Sequence, residues 1–285
     1  MTPTRILGRT GVQVSPLGFG VSGPHASPVL TRQATIDLVR EAIDLGVTLY
    51  DTGPAYGNGE AEIRLGQALA GLQADDLFVT TKAGVVAGKP GRPIRDFSST
   101  GIVTSLDNSL RRLDLEQVGA LFLHGPHSTD ITDELLETLV TLQNTGKVRF
   151  LGICGRGDEL EYALTSPVFD IMMAPCHTNL DPDLEDHLNR AKQVNLGVIG
   201  IEAMAGANSG WRWPRSAGDA WYLARAVKQS LVGTRTAPSR LSPPAAMQSA
   251  LERKTVDCVL SLTTRREHLI DNVRMTGLDP DSHEP

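Results

Sequence analysis

Eight short apolar runs recur along this chain of 285 residues, and their order constrains the fold more than any other feature of the sequence. Each run is followed by a stretch with the apolar spacing of a helix, and only after the fifth run does the pattern leave this open. The runs are too apolar to alternate, so they predict a parallel sheet covered by helices. In order, they read SPLGFG, GVTLYD, LFVTTK, ALFLHG, VRFLGIC, FDIMMAPC, GVIGIEA and VDCVLSL.

Eight strand and helix units predict a closed (β/α)8 TIM barrel of the α/β class. Because barrels of this kind reach about 250 residues as one unit, we expect a single domain over residues 1–285. The helices are predicted from apolar spacing before a glycine, as in Leu135, Leu139 and Leu142 before Gly146. Ahead of the first strand, TRIL and VQVS flank GRTG and predict a β-hairpin that plugs one end of the barrel.

The segment GFGVSG, residues 18–23, matches the glycine pattern of dinucleotide-binding loops. In that motif the third glycine opens a helix whose amino end faces the pyrophosphate. Here PHASP follows, and its two prolines delay the predicted helix until about Arg32. We therefore interpret these glycines as packing at the end of the first strand and not as a Rossmann phosphate loop.

One interval breaks the regular spacing, between the seventh strand and the helix that starts near SPPAAMQSALERK. This insertion spans approximately residues 207–241 and contains all three tryptophans, Trp211, Trp213 and Trp221. Segments after strands form the reactive face of such barrels, so the insertion is a candidate lid or substrate wall, with Trp211 and Trp213 as candidate substrate contacts. The alternative is a helix over about 217–231 that buries its aromatic side chains against the outer helices.

Charge and composition exclude several classes of partner. A net charge of -6 and a pI near 5.6 leave no basic face for nucleic acid or anionic lipid. The amino terminus lacks the apolar core of a signal peptide, and no apolar run reaches the length of about 18 residues that a membrane span needs. We expect a cytoplasmic protein that acts on a small molecule. The cysteines, Cys154, Cys176 and Cys258, fit neither a short metal-ligand spacing nor a complete disulfide framework.

Four polar side chains lie at or just after the ends of consecutive predicted strands. Asp51 and Tyr56 follow the second strand, Lys82 ends the third and His124 ends the fourth. Taken singly, each has a structural interpretation: a turn cap, a loop aromatic, a solvated strand end and a core histidine. Together they point to one pocket, because the carboxyl ends of parallel barrel strands meet at a single face. We call these four residues the tetrad.

The tetrad predicts proton transfer to or from a substrate oxygen. A tyrosine hydroxyl has an ordinary pKa of about 10, so we expect the Lys82 ammonium to lower the pKa of Tyr56 and Asp51 to hold Lys82 in place. Tyr56 then donates a proton to a carbonyl or removes one from a hydroxyl, while His124 orients the same oxygen. None of the four carries a hydride, so a redox step needs a nicotinamide cofactor.

The sequence resembles the aldo-keto reductases over nearly its whole length. The similar segments are RILGRTGVQVSPLGFG, YDTGPAYGNGEAEIRLGQAL, VTTKAG, DNSLRRLDLEQVGALFLHGP and GKVRFLGICG. The resemblance implies a (β/α)8 barrel that uses NADPH or NADH, with Asp51, Tyr56, Lys82 and His124 in the family's catalytic positions. The segments RDFSSTGIVTSLDNSLRRL, GICG and CHTNL are most similar to the branch of L-galactose, L-fucose and D-threo-aldose dehydrogenases, which implies an aldose substrate.

The resemblance also assigns candidate cofactor contacts. Where many relatives carry Ser-Asn and Gln to hold the nicotinamide carboxamide, this chain has Cys154, Gly155 and apolar residues near Met173. The usual nicotinamide-stacking ring falls on Thr178 or His177. The family segment that surrounds the pyrophosphate and ribose corresponds to EAMAGA in this chain. Its candidate contacts are Ala203, Met204 and Ala205. In the same segment Glu202 could bind a sugar hydroxyl, repel a phosphate or face solvent.

The segment SLTTRREHLIDN resembles the part of the family that binds the adenosine phosphate. Its usual basic residue falls nearest Thr264, with Arg265 and Arg266 next to it, and its asparagine falls on Asn272. Two guanidiniums beside a 2′-phosphate favour NADP(H) over NAD(H), because arginine matches phosphate geometry. The alternative is a pair of exposed arginines that open the last helix.

Two classes of function remain open on these residues. The first is an NAD(P)(H)-dependent oxidoreductase that interconverts an aldehyde, ketone or aldose with an alcohol, with Tyr56 as general acid and base. The second keeps the barrel and the tetrad but acts as a non-redox isomerase, lyase or dehydratase on a carbonyl compound. Nucleotide binding separates them.

Overall fold

The structure is a computed structural model that describes residues 3–72, 77–89, 92–207, 218–224 and 238–277. Eight parallel strands close into a barrel, which confirms the predicted fold. Their order around the barrel is their order along the chain, and the last strand pairs with the first to complete it. The eight strands are β3 (Leu17–Gly20), β4 (Leu49–Asp51), β5 (Phe78–Ala83), β8 (Val118–His124), β9 (Val148–Cys154), β10 (Ile171–Pro175), β11 (Gly197–Ile201) and β12 (Cys258–Ser261).

Helices connect the strands and cover the barrel. They are α1 (Arg32–Asp44), α2 (Glu60–Leu69), α3 (Ser99–Leu113), α4 (Asp133–Asn144), α5 (Glu159–Thr165), α6 (Pro182–Gln193), α7 (Pro243–Leu251) and α8 (Arg266–Arg274). The fifth strand does carry a helix, the seven-residue α5. Side chains cap the amino ends of several helices. Thr31, Ser98 and Asp181 each accept a hydrogen bond from a backbone N–H in the first turn of the helix that follows. Across the described ranges, every helix is too short or too polar to cross a membrane.

The amino-terminal hairpin closes the bottom of the barrel. Strands β1 (Arg5–Ile6) and β2 (Gln13–Val14) pair antiparallel, as predicted. Between them Leu7 is fully buried and packs with side chains of the barrel interior. Gly8 has a φ of +47°, and a Cβ there would lie 2.2 Å from the backbone nitrogen of Gly197, the first residue of β11. The hairpin therefore lies against the amino ends of the strands, opposite the tetrad.

The segment GFGVSG, residues 18–23, is not followed by a phosphate-binding helix. Residues Gly23–Ala26 form a single 3-10 turn, and α1 begins only at Arg32, as the prolines predicted. A Cβ on Gly18 would lie 2.8 to 3.0 Å from the side chains of Leu260, Cys258 and Leu49. This glycine is required for close packing inside the barrel.

The described part of the insertion after β11 is helical over residues 218–224. Trp221 packs on Gly23, where an added Cβ would lie 2.9 Å from the indole ring. The Tyr222 hydroxyl donates a 3.2 Å hydrogen bond to the backbone oxygen of Leu262, just after β12. This helical stretch therefore lies against the loops that follow β3 and β12. Trp211, Trp213 and the rest of residues 208–217 and 225–237 lie outside the described part.

A buried histidine joins the loops after β3 and β12. His25 is fully buried; its Nε2 contacts the backbone oxygen of Thr263 at 2.8 Å, and its Nδ1 contacts the Thr35 hydroxyl at 3.3 Å. Burial lowers the pKa of His25 from 6.5 to about 4, although the hydrogen bond to Thr263 opposes the change. The imidazole is therefore neutral in the folded protein near pH 7.

We expect His25 to make folding stability depend on pH. Since its folded pKa is depressed, its contribution is complete above pH 6.5 and is lost as the pH falls towards about 4. The loss amounts to about 3 kcal/mol at about 1.4 kcal/mol per pKa unit. Urea unfolding from pH 4 to 7 should show a shallower pH dependence for His25→Gln than for wild type. His268→Gln, at an exposed histidine of α8, should follow the wild-type curve. Parallel curves for wild type and His25→Gln would contradict the assignment.

Candidate active site

The tetrad lies at the carboxyl ends of three neighbouring strands. Asp51 ends β4, Lys82 is the penultimate residue of β5, and His124 ends β8. Tyr56 lies in the loop between β4 and α2. The strand pairing β4–β5–β8 puts the three strand residues side by side, and the loop returns Tyr56 over them. The structure thus brings together all four residues that the sequence singled out.

Lys82 and Asp51 form a buried ion pair. The Lys82 ammonium donates to both carboxylate oxygens of Asp51 at 2.6 Å and to the backbone oxygen of Thr52 at 2.8 Å. Thr80 donates a further 2.8 Å hydrogen bond to the Asp51 carboxylate. Burial opposes the charge of Lys82, but Asp51 outweighs it and holds the pKa of Lys82 above its ordinary value. The pair therefore holds the charged Lys82 ammonium in a fixed position beneath the pocket.

The Tyr56 ring lies between this pair and His124. The Lys82 ammonium is 5.0 Å from the centre of the Tyr56 ring, and the His124 ring meets it edge-on with centres 6.0 Å apart. A Cβ on Gly53 would lie 3.3 Å from the Tyr56 ring, so the glycine permits this approach. The tyrosine side chain is partly buried.

The predicted lowering of the Tyr56 pKa is wrong in direction. Burial raises the pKa of Tyr56 above its ordinary value, and the charge of Lys82 offsets only part of that increase. The ammonium is already bonded to Asp51 and Thr52, so Asp51 neutralises much of its effect on the phenol. Tyr56 is consequently a protonated phenol near neutral pH and is suited to donate a proton.

His124 is held in its neutral form. Burial lowers its pKa to about 3, and the charges of Lys82, Arg156 and Arg95 act in the same direction. Among the described residues, the buried Nδ1 of His124 has no hydrogen-bond partner. A neutral imidazole at this place can orient a polar oxygen of a bound molecule without adding a charge.

The residues expected at the nicotinamide end offer few polar groups. Cys154 is buried, and burial raises the pKa of its thiol to about 11, so it is a neutral group in the pocket wall. Met173 is also buried. His177 is largely buried, with its Nδ1 accepting a hydrogen bond from the backbone of Asn179 at 3.3 Å. In the loop after β11, Ala203 is buried and Ala205 partly so, whereas Met204 is exposed.

The residues expected at the phosphate end fit an anion. Arg265 precedes α8, whose amino end has no side-chain cap. Its guanidinium pairs with the carboxylate of Asp219, in the helical stretch after β11, and lies 3.8 Å from the carboxylate of Glu267. Arg266 instead pairs with Glu41 at 2.5 Å. Asn272 is buried and donates a 2.8 Å hydrogen bond to Ser261, and Thr264 is partly buried. Of the two arginines, Arg265 is the less exposed, with 25% of its side chain exposed against 70% for Arg266.

Two arginines at the pocket, Arg95 and Arg156, were not predicted from the sequence. Arg95 donates to the backbone oxygen of Gly125 at 2.8 Å and pairs with Asp130 at 3.0 Å. It lies on β7 (Arg92–Arg95), which pairs with β6 (Val85–Lys89) in a hairpin after β5. Arg156 pairs with Glu202 at 2.6 Å. Arg156 could have been found, because it lies two residues beyond the fifth apolar run, at the same face of the barrel as His124.

Comparison with known proteins identifies relatives over most of the chain. The profile of the Aldo/keto reductase family matches residues 16–216. L-galactose dehydrogenase from Arabidopsis thaliana is 38% identical over 213 residues, which cover 70% of this chain and 65% of that protein. The NADH-specific methylglyoxal reductase of Escherichia coli is 30% identical over 64% of this chain and 61% of its own length. The matches thus span less than two thirds of each of these relatives.

Solved structures agree with the fold. An aldo-keto reductase from Bacillus halodurans, in its holo form, superposes with a TM-score of 0.77. The superposition covers 98% of this chain and 92% of that chain at 22% sequence identity. At this identity the match supports the barrel architecture alone.

Proposed function

Because this chain belongs to the aldo/keto reductase family, we propose that it is an NAD(P)(H)-dependent oxidoreductase that interconverts a carbonyl group and an alcohol. The observation that carries the proposal is the tetrad geometry. A protonated Tyr56 lies between the Lys82–Asp51 ion pair and a neutral His124 at the open face of the barrel. This arrangement suits proton transfer to a carbonyl oxygen.

Each member of the tetrad has a distinct part in the proposed reaction. In carbonyl reduction, Tyr56 donates its proton to the substrate oxygen, and in the reverse direction it accepts one. Lys82 stabilises the phenolate left behind, and Asp51 holds Lys82 in place. His124 binds and orients the same oxygen. When bound, a nicotinamide dinucleotide supplies or accepts the hydride.

The proposed cofactor is NADP(H) in preference to NAD(H). Arg265, at the uncapped amino end of α8, is the main support for a 2′-phosphate site, with Arg266, Thr264 and Asn272 beside it. The loop of Ala203, Met204 and Ala205 would lie along the pyrophosphate and ribose. Cys154 and His177 would border the nicotinamide. Among substrates, an aldose is favoured by the 38% identity to L-galactose dehydrogenase.

One observation favours the second candidate function. The polar groups that hold a nicotinamide carboxamide in many relatives are replaced by Cys154 and by apolar residues near Met173, both buried. A non-redox isomerase, lyase or dehydratase would need the tetrad but not that contact. We retain this function as the alternative.

Nucleotide-dependent turnover tests the proposed function. Purified protein should oxidise NADPH in the presence of small aldehydes or aldoses, and should reduce NADP in the presence of aldoses, as followed by nicotinamide absorbance. Binding of NADPH alone should change the tryptophan fluorescence at micromolar concentrations. If neither nucleotide binds and the protein still converts a carbonyl compound, the non-redox alternative is correct.

We expect the phosphate site to depend on Arg265 more than on Arg266. Arg265→Ala should raise the Kd for NADP about 10- to 100-fold relative to that for NAD, since it removes charged hydrogen bonds to phosphate. Arg266→Ala should have a smaller effect, because the Arg266 side chain is 70% exposed, whereas that of Arg265 is 25% exposed. Arg274→Ala, in the last turn of the same helix, is the matched control. An unchanged ratio of the two dissociation constants in Arg265→Ala and in the double variant would overturn the phosphate assignment.

A further inference from the structure

An arginine–glutamate bridge crosses the pocket face beside the tetrad. Arg156 follows β9 and Glu202 follows β11, and β10 lies between these two strands. Neighbouring strands are about 4.8 Å apart, so the pair spans about 10 Å across the top of the barrel. Arg156 Nη2 and Nε donate to the same oxygen, Glu202 Oε1, at 2.6 and 3.3 Å.

The bridge lies close to the proposed reacting groups. In the strand register His124 pairs with Cys154, two residues before Arg156. The charge of Arg156 also lowers the pKa of His124, so the guanidinium lies near that imidazole. The Arg156 side chain is 56% exposed and that of Glu202 is 28% exposed, so a molecule entering the pocket can reach both.

Each partner keeps unused hydrogen-bonding capacity. Both hydrogen bonds of the bridge end on Glu202 Oε1, and within the described ranges neither Glu202 Oε2 nor Arg156 Nη1 makes a further one. The bridge therefore presents an acceptor and a donor next to each other. A hydroxyl group both donates and accepts, so adjacent hydroxyls match such a pair.

Both arginines that the structure describes at the pocket mouth are paired with carboxylates. Arg156 is paired with Glu202, and Arg95 is paired with Asp130 at 3.0 Å. An anionic substrate would have to compete with these carboxylates for the guanidiniums. A neutral substrate with hydroxyl groups can bind without breaking either pair.

The backbone holds the bridge in a fixed position. Glu202 has a φ of +58°, a left-handed conformation that is unusual outside glycine, and its backbone oxygen accepts from Ala205 at 2.8 Å. The Arg156 backbone nitrogen donates to the Glu159 carboxylate at 2.7 Å. Both side chains therefore project from anchored loops.

We propose that Arg156 and Glu202 are specificity-determining residues that bind hydroxyl groups next to the reacting carbonyl and select neutral polyhydroxy substrates. This inference rests on the proposed function. It assigns Glu202 to the substrate and not to the cofactor phosphate. It also assigns to Arg156 the role of neutralising Glu202, so that the acid does not repel an anionic dinucleotide bound near it.

The test compares three four-carbon aldehydes that differ only in polar groups: erythrose, butanal and succinic semialdehyde. The kcat/KM for each is measured with NADPH for wild type, Arg156→Met, Glu202→Gln and the double variant. The matched control is Arg190→Met with Glu161→Gln, a surface bridge of the same 2.6 Å length between α6 and α5. Thermal unfolding of every variant checks that the fold is retained.

We expect Arg156→Met and Glu202→Gln each to lower kcat/KM for erythrose about tenfold or more, and that for butanal less than about threefold, since butanal has no hydroxyl to lose. Glu202→Gln should also raise kcat/KM for succinic semialdehyde about tenfold, because Arg156 then lacks a carboxylate partner. Arg156→Met should not raise it. The control should leave all three values unchanged.

Three outcomes would overturn the inference. If the bridge variants change kcat/KM for all three aldehydes by the same factor, the bridge only holds the loops together. If wild type already prefers succinic semialdehyde and loses that preference in Arg156→Met, Arg156 selects anions. Should wild type turn over none of the three although it binds NADPH, this inference fails while the cofactor assignment survives. Turnover of none without nucleotide binding would refute the proposed function itself.

Discussion

Replacing Tyr56 with phenylalanine is expected to lower kcat about 10²- to 10⁴-fold, the usual contribution of a positioned proton donor. The ring would still fill its place beside Gly53 and His124, so the pocket keeps its shape. Affinity for NADPH should change little, because the hydroxyl serves proton transfer and not binding. Steady-state kinetics with a reducible aldehyde and a nucleotide titration measure the two effects separately.

Tyr50→Phe is the matched control for this variant. Tyr50 lies on β4, one residue before Asp51, but its hydroxyl donates a 2.9 Å hydrogen bond to the backbone oxygen of Val47 inside the core. Its loss should cost about 1 kcal/mol of unfolding free energy and leave kcat within a factor of a few. Retention of most activity in Tyr56→Phe would exclude this tyrosine as the proton donor.

Replacing Lys82 with methionine is expected to damage both activity and stability. The substitution leaves the Asp51 carboxylate buried without its cation, and breaking a buried pair in this way costs about 3–5 kcal/mol of unfolding free energy. Activity should fall nearly as far as in Tyr56→Phe, because the phenolate formed after proton donation loses its stabilising charge. Without Lys82 the pKa of Tyr56 rises further, so residual alcohol oxidation should peak at higher pH. Urea unfolding and a pH–rate profile test these effects.

A double variant separates the two consequences of losing Lys82. Asp51→Asn combined with Lys82→Met removes both charges, so most of the lost stability should return while activity stays low. Lys147→Met, at an exposed lysine paired with Asp107 at 2.7 Å, should change unfolding by less than about 1 kcal/mol. If the double variant recovers activity together with stability, Lys82 has a structural role only.

The strand ends were the most predictable part of this protein. Apolar runs that finish in a polar residue place that residue at the barrel mouth, so Asp51, Lys82 and His124 could be brought together from the sequence. Tyr56 was found for the same reason, since it lies five residues after the end of β4. The start of α1 at Arg32 followed from proline chemistry.

The electrostatic balance of the site could not be predicted in the same way. Whether the pKa of Tyr56 rises or falls depends on how much water the folded pocket excludes and on how completely Asp51 occupies Lys82. Neither quantity is local in the sequence. The bridge from Arg156 to Glu202 joins residues 46 positions apart in the loops after non-adjacent strands, and the contact of His25 with Thr263 joins the loops after the first and last barrel strands.

The amino-terminal hairpin closes the lower end of the barrel, and this bears on where protons and ligands reach the site. Within the described residues, Leu7 covers the floor of the barrel, and aromatic and aliphatic side chains such as Phe78 and Phe122 fill its interior. In the proposed reaction, we therefore expect the proton that Tyr56 donates to be replaced from the mouth of the barrel, the opening through which the alcohol product also leaves. In the proposed reaction, reprotonation of the phenol and release of the product thus use the same opening. The product has to leave through it before the next turnover can begin.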